Sequence, residues 1–281
     1  MRLKRIYIEI TNTCNLACSF CIQNQRPPRR MSVEEFHHVI EQVHPFGSYV
    51  YLHILGEPLS HPEVKKILEI CADYDMQVNL TTNGTLLKSR RDILYEAVAL
   101  RQVNISLHSF SQHEQEGYLQ DVMEVCEELA KRKIHVNYRL WSLGEQGLSK
   151  ETAEVLRVVE DHYGIHVEEQ LITRLQRLDL RDYLHLHFES VFTWPSLTHP
   201  YVGDTGRCLG MKTMCGILSD GRVVPCCLDS KGDCTLGNIF TTPFADILNR
   251  KQVQEIVQGF ADNKIIEELC QHCSYRLRFD K

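Results

Sequence analysis

Between residues 4 and 172, short apolar segments alternate with amphipathic ones, and this alternation limits the chain to few architectures. The strand-like segments are 4–11, 48–54, 76–81, 102–107, 134–140 and 166–172, each rich in Val, Ile, Leu or Tyr. Between them lie 32–44, 61–74, 88–99, 115–131 and 149–162, where apolar residues recur at helical spacing, as in Val122, Val125, Cys126 and Leu129. Ser32 with Glu35 three residues on reads as a capping box, and Ser149 with Thr152 marks another helix onset. Six β segments with intervening helices predict parallel βα units, hence an α/β fold. Periodicity alone leaves open whether the units close into a barrel. In such folds chemistry sits at the C-terminal ends of the strands. The residues there are a cysteine loop after the first strand, Gly56-Glu57-Pro58 after the second, Thr81-Thr82-Asn83-Gly84 at the third, Ser106 and His108 at the fourth and Arg139 near the end of the fifth. They are expected to converge on one mouth.

The cysteine loop, Cys14-Asn15-Leu16-Ala17-Cys18-Ser19-Phe20-Cys21, has the spacing C-x3-C-x2-C. Thiolates this close wrap a metal or a cluster. Zinc wants a fourth ligand to close a tetrahedron, whereas three thiolates on a [4Fe–4S] cube leave one iron open to another molecule. The chain has 12 cysteines and no secretory signal, since Glu9 and Asn12 interrupt the apolar start. In a reducing compartment that number argues for metal ligation over disulfides.

After about residue 175 the pattern changes. Residues 173–207 form a polar, aromatic-studded connection without clear periodicity, holding His185, His187, Phe188, Phe192, Trp194, Pro195 and Pro200. A compact cysteine-rich tail follows. Asp220-Gly221 predicts a hairpin over 214–225, with helices at about 243–258 and 264–272. Cys71 and Cys126 lie on helices among apolar neighbours and read as small core residues.

The triplet, with Phe20 just before its last cysteine, resembles the radical S-adenosylmethionine (radical SAM) superfamily, whose signature is C-x3-C-x-aromatic-C after the first barrel strand. The resemblance implies a partial (β/α)6 TIM-like barrel over residues 1–175. It implies that Cys14, Cys18 and Cys21 hold a [4Fe–4S] cluster, with the open iron chelated by S-adenosylmethionine (SAM). One electron then cleaves the sulfonium, and a 5′-deoxyadenosyl radical abstracts hydrogen from substrate. Phe20 would offer an apolar face to the adenine. Leu55-Gly56-Glu57-Pro58 resembles the family's Gly-Gly-Glu-Pro, which grips the methionine amino group; Leu55 replaces the first glycine. Asn83 is a weaker member of the same set. Ser106 and Arg139 match, by position, the serine and arginine that hold the ribose and carboxylate in related enzymes, and a guanidinium binds a carboxylate bidentately. His108 stands where many relatives carry Asp, and is a candidate substrate-side acid/base.

The tail also carries a resemblance. Cys208, Cys226 after seventeen intervening residues, and Cys270-x2-Cys273 are similar to the auxiliary-cluster extension called SPASM, in its shortened, single-cluster twitch form, here over 208–281 after a connecting segment 176–207. The resemblance implies a second [4Fe–4S] cluster on Cys208, Cys226, Cys270 and Cys273, with Cys227 and Cys234 as alternative ligands. The two-cluster run C-x2-C-x5-C-x3-C is absent. A tetrathiolate zinc site is the competing reading. A cluster with four protein ligands has no open iron, so it suits accepting or relaying an electron, as in alcohol dehydrogenation or peptide crosslinking. The substrate is expected to be a peptide or a small molecule, and the reductant an external one-electron donor such as flavodoxin or ferredoxin. Peptide-modifying relatives often carry an extra N-terminal domain; with the cysteine loop starting at residue 14, none is expected ahead of it.

Composition excludes other classes. A net charge of −6 gives no basic excess for nucleic acid, and no apolar run approaches the ~20 residues of a membrane span. The chain is expected to be cytoplasmic. From another class, a non-catalytic iron–sulfur or zinc electron-transfer or binding protein would have no need of Gly56-Glu57-Pro58 or Ser106.

Overall fold

The computed structural model describes residues 2–112, 116–144, 147–168, 172 and 176–279. In chain order its elements are β1 (Arg5–Ile8), α1 (Val33–Val43), β2 (Tyr49–Tyr51), α2 (Val64–Asp73), β3 (Gln77–Thr82), α3 (Leu87–Glu96), β4 (Leu100–Ile105), α4 (Tyr118–Lys131), β5 (His135–Leu143) and α5 (Lys150–Tyr163). Then come β6 (Arg177–Arg181), β7 (Leu184–Ser190), β8 (Met214–Ile217), β9 (Arg222–Val224), β10 (Gly237–Asn238), α6 (Phe244–Leu248), α7 (Lys251–Ala261) and α8 (Glu268–Gln271). The fold is mixed α/β with a largely parallel sheet. The chain forms two compact units. One comprises Met1–Cys14, Ile22–Val78 and Phe192–Lys281, the other Asn15–Cys21 and Asn79–Val191, and β3 carries the chain from the first to the second.

In the first unit the strand order is β10-β9-β8-β1-β2. β1 runs parallel to both neighbours, with Ile6 opposite Val50 on one side and Cys215 on the other. The β8–β9 hairpin turns at Asp220-Gly221, as expected, with Gly221 at φ +84. The capping box at Ser32 is present: its hydroxyl accepts from the Glu35 amide (3.1 Å) and the Glu35 carboxylate accepts from the Ser32 amide (2.8 Å). The apolar faces of α1 (Phe36, Val39, Ile40, Val43) and α2 (Val64, Ile67, Leu68, Cys71) are buried. Their i, i+3, i+4, i+7 spacing accounts for the helices' orientation.

In the second unit β4, β5 and β7 run parallel, and β6 closes antiparallel on β7. Successive residues of a strand point to opposite faces, and here the faces differ in kind. Val103 and Ile105, Val136, Tyr138 and Leu140, and Leu184, Leu186 and Phe188 are buried on one face. That face packs on helices: Tyr138 shares a hydrogen bond with Tyr163 of α5 (3.0 Å), and its hydroxyl meets the Cys126 thiol of α4. Ser149 caps α5 by accepting from the Thr152 amide.

Three expectations need correction. The strand read at 166–172 is absent among its described residues: 165–168 carry no regular structure, and 169–171 lie outside the described residues. The strand beside β5 is β7, inside the segment read as an aperiodic connection, and β6 lies there too. Their period-two pattern was hidden because its alternate members are His185, His187 and Asp179, polar residues that a hydrophobic count treats as loop. Second, the helix read at 115–131 begins at Tyr118, and residue 115 lies outside the described residues. Third, the helix read at 243–258 is two, because Arg250 is extended (φ −61, ψ 144) and restarts the chain as a new N-cap, while that at 264–272 shortens to α8. Cys71 and Cys126 are fully buried in α2 and α4. Among the described residues no helix is long and apolar enough to cross a membrane.

Candidate active site

The cysteine loop leaves β1 and returns alongside its own start. Thr11 and Asn12 pair with the returning segment: the Asn12 amide donates to the Arg29 carbonyl (3.1 Å), the Arg29 amide to Asn12 Oδ1 (2.7 Å), and Asn12 Nδ2 to the Pro27 carbonyl (2.9 Å). These bonds make a stem within the first unit. The Gly56-Glu57-Pro58 turn sits on the same stem. Glu57 donates its amide to the Thr13 carbonyl (2.9 Å), and Gly56 has φ +78. A Cβ on Gly56 would lie 2.3 Å from the Thr11 carbonyl oxygen, so only glycine allows the turn to approach this closely. Glu57 is buried; one carboxylate oxygen accepts from the Leu59 amide (3.0 Å) and holds the short 3-10 turn Pro58–Ser60 in place. Cys14, exposed, follows directly on Thr13.

The rest of the loop belongs to the second unit. Asn15 Oδ1 accepts from Asn83 Nδ2 (2.9 Å) and Asn15 Nδ2 donates to Thr85 Oγ1 (2.8 Å), while the Thr85 amide and hydroxyl both donate to Asn83 Oδ1. The loop is thereby sewn to the C-terminal end of β3. Cys18 is buried and Cys21 half-buried, their backbones joined by a 3.1 Å bond. The Phe20 ring is 44% exposed and lies 5.0 Å from the ring of His108. His108 Nδ1 meets the Arg139 carbonyl (3.0 Å); burial, aided by the Arg139 charge, pushes its pKa down to about 4, so the ring is neutral. Ser106 is held at its backbone by the Thr82 carbonyl (2.9 Å). Arg139 reaches Thr81 Oγ1 (3.4 Å) and lies over the Trp141 indole (4.3 Å), whose Nε1 donates to His187 (3.1 Å).

Arg139 and His187 share the sheet face away from the helices. Gln102 and Asn104 of β4 stand beside His135 and Asn137 of β5, and Asn137 and Arg139 beside His185 and His187 of β7. Parallel sheets are ordinarily apolar on both faces. This face is instead a row of amides, imidazoles and a guanidinium, linked in part by an amide ladder from Asn137 to Asn104 (3.0 Å) and on to the Leu80 carbonyl (3.0 Å). Burial lowers the pKa of His185 and His187, leaving neutral rings suited to hydrogen bonding.

In the first unit's tail, Cys208, Cys226, Cys270 and Cys273 are neighbours. Burial raises all four thiol pKa values, and mutual repulsion adds to it: Cys226 feels Cys208 and Cys270, Cys270 feels Cys208 and Cys273, and Cys208 feels Cys273. Backbone amides already point at the sulfurs, from Leu209 and Gly210 to Cys208, from Leu228 to Cys226, and from Tyr275 and Arg276 to Cys273. Such donors stabilise thiolates and tune clusters. Four half-buried thiols that repel one another as thiolates, ringed by amides, fit a cationic cluster core. Among the described residues no three His, Cys, Asp or Glu side chains are placed to hold one metal ion. Cys227 meets the Tyr7 hydroxyl and feels Cys208, and Cys234 meets the Glu267 carboxylate and feels Cys270.

Three residues of the site region were not singled out from sequence: Glu9, Arg26 and Arg276. A charged residue inside the apolar run Ile6–Ile10 was the available signal for Glu9. Arg276 is 2% exposed and donates to the carbonyls of Cys270 (2.9 Å), Thr205 (2.8 Å) and Gly203 (2.7 Å), joining the segment before Cys208 to α8. Hydrogen bonds from a charged group contribute ~1.5–3 kcal/mol each. With a [4Fe–4S] cluster on the tail cysteines, as the sequence resemblance implies, Arg276→Met is expected to lower bound iron by about four per chain. Iron and sulfide quantification checks this, and an undiminished count would sink it.

Comparison with known proteins places these features in a family. Residues 8–159 match the profile described as "Radical SAM superfamily", and 208–274 match SPASM, described as "Iron-sulfur cluster-binding domain". The AdoMet-dependent heme synthase of Methanosarcina barkeri is 23% identical over 314 residues, covering 95% of this chain and 87% of that protein. The GTP 3′,8-cyclase of Microcystis aeruginosa is 36% identical over 111 residues, 36% of this chain and only a third (33%) of that protein's length. Among solved structures, BtrN in complex with AdoMet and 2-DOIA superposes with a TM-score of 0.61 at 14% identity, covering 98% of this chain and 94% of that one. Streptococcus suis SuiB bound to precursor peptide SuiA gives 0.64 at 17%, covering 97% and 71%. At these identities the structural likeness is one of fold.

Proposed function

Because the chain belongs to the radical SAM superfamily and carries a SPASM iron–sulfur cluster-binding domain, we propose that it cleaves SAM reductively at a [4Fe–4S] cluster on Cys14, Cys18 and Cys21. Cys208, Cys226, Cys270 and Cys273 would hold a second [4Fe–4S] cluster, which would supply a site to accept or relay an electron. Residues 1–175 form the barrel core in this reading, 176–207 the connection and 208–281 the auxiliary domain. When bound, the cluster and SAM supply the hard chemistry, a one-electron cleavage whose 5′-deoxyadenosyl radical takes hydrogen from substrate.

The protein's part is to hold and orient. Gly56, lacking a side chain, lets its turn rest on Thr11 and Thr13 just ahead of Cys14, and this docking is the observation that carries the reading. Glu57, with Pro58 fixing the turn, supplies an acceptor for the methionine ammonium. Ser106, Asn83 and Arg139 hold the ribose and carboxylate. Phe20 covers the adenine, and neutral His108 props Phe20. The polar face of β4, β5 and β7 orients a hydrogen-bonding substrate, a small polar molecule as in the BtrN complex or a peptide as in the SuiB complex. A flavodoxin- or ferredoxin-type donor delivers the electron.

The test is anaerobic reconstitution with iron and sulfide, followed by dithionite and SAM. The expected outcome is 5′-deoxyadenosine, formed slowly without substrate, from protein holding about eight irons per chain. Protein that binds iron yet forms none overturns the proposal.

A further inference from the structure

Glu9 follows β1 and is completely buried, yet it carries a carboxylate. Its two oxygens take four bonds from three places in the first unit. Arg26 Nη2 donates to both (2.5 and 2.6 Å), the Leu55 amide to Oε1 (3.3 Å), and the Ser219 amide to Oε2 (3.0 Å). Arg26, 9% exposed at its side chain, spends its Nε on the Ser230 carbonyl (2.8 Å). Arg29 repeats the pattern nearby, pairing with Glu35 (2.5 Å) while donating to the Ser219 carbonyl.

The chain positions of these partners make the pair a junction. Leu55 immediately precedes Gly56-Glu57-Pro58. Arg26 lies on the stem by which the cysteine loop returns. Ser219 and Ser230 bracket Cys226 in the tail. A buried ion pair is a poor way to add stability, since desolvation offsets most of the attraction. It does fix geometry, because moving any one partner leaves a charge or an amide unsatisfied in the interior. Cys226 lies between Ser219 and Ser230, so a ligand on it bears on this stretch and, through Glu9, on the turn before Gly56.

We propose that Glu9 and Arg26 are positioning residues that couple occupancy of the auxiliary-cluster segment to the grip of the Gly56-Glu57-Pro58 turn on SAM. This rests on the function proposed above and adds a structural role for the auxiliary domain beside electron transfer. Coupling of this kind is reciprocal and amounts to a ~5–150-fold change in affinity.

The experiment is a SAM titration of the reconstituted, reduced holoenzyme, reading the SAM-dependent change in the electron paramagnetic resonance signal of the cluster. Four proteins are compared: wild type, Cys208→Ala/Cys226→Ala, Glu9→Gln/Arg26→Met, and the combination of all four substitutions. The Glu9→Gln/Arg26→Met variant removes both charges together, so no lone ion is stranded, and its iron count and melting temperature report folding. Arg26→Lys, which keeps the charge but not the fork that spans Glu9 and Ser230, is the milder companion. Each double variant is expected to weaken SAM binding at least about fivefold. Glu9→Gln/Arg26→Met keeps its full iron, and the combination is no weaker than either double variant alone, the non-additivity expected of residues acting as one unit. Unchanged SAM affinity in Glu9→Gln/Arg26→Met and Arg26→Lys, or effects that simply add, overturns the coupling. A wild type that gives no SAM-dependent signal defeats the proposed function itself, and the coupling with it.

Discussion

Replacing Cys14, Cys18 and Cys21 together by alanine is expected to reduce 5′-deoxyadenosine formation to the background of enzyme-free dithionite, while about four irons per chain remain bound. The large effect follows from how the ligands are supplied. All three thiolates come from eight consecutive residues, so no other part of the chain replaces them. Retention of the remaining iron follows from the separate location of Cys208, Cys226, Cys270 and Cys273 in the tail, with its own amide donors and Arg276. Two measurements, iron content and product formation, must therefore separate. Loss of all iron would mean that the tail does not hold a cluster independently. A full count would mean that the triplet holds none.

Gly56→Ala is the second large effect, and a single methyl group should produce it. The residue has φ +78, a left-handed conformation that costs a residue with a Cβ ~1–2 kcal/mol. The methyl group would also stand 2.3 Å from the Thr11 carbonyl and 2.9 Å from that of Thr13. Both are backbone atoms of the stem leading to Cys14, and neither swings aside as a side chain would. The turn must lift. A displacement of ~1 Å at a positioning element costs about 100-fold in rate, so SAM cleavage should fall at least that far, with the iron content near wild type. Gly117 provides the control. Its φ is +74, but nothing lies within 4 Å of where its Cβ would be, so Gly117→Ala should cost only the conformational ~1–2 kcal/mol and leave SAM cleavage intact. Equal losses in the two variants would show that φ alone, and not the approach to Thr11, makes glycine necessary at Gly56.

Much of the chemistry was legible before any coordinates. The cysteine triplet with Phe20, the Gly56-Glu57-Pro58 turn and the spacing of Cys208, Cys226, Cys270 and Cys273 pointed to the family that the profile matches identify. Helix starts at Ser32 and Ser149 were legible for the same reason: a cap acts within one turn of chain, and so does its signature. Strand placement was less secure where it depended on what covers the sheet. β7 reads as polar because His185 and His187 alternate with buried leucines, and only a sheet with one polar face makes such a segment a strand.

By itself, then, the sequence determined which residue types are available for ligation and at what local spacing, because a loop of eight residues can surround a cluster with little help from elsewhere. The tertiary structure decided how equivalent neighbours are used. Cys226 and Cys227 are adjacent and chemically identical, yet in the turn that follows β9 their thiols meet different groups. Both feel Cys208, but Cys226 also feels Cys270 while Cys227 meets the Tyr7 hydroxyl. It also decided that Glu9, one charge in an apolar run, would become a junction. A carboxylate reaches zero exposure only where distant segments bring enough donors to replace water, and here those donors come from Arg26, Leu55 and Ser219.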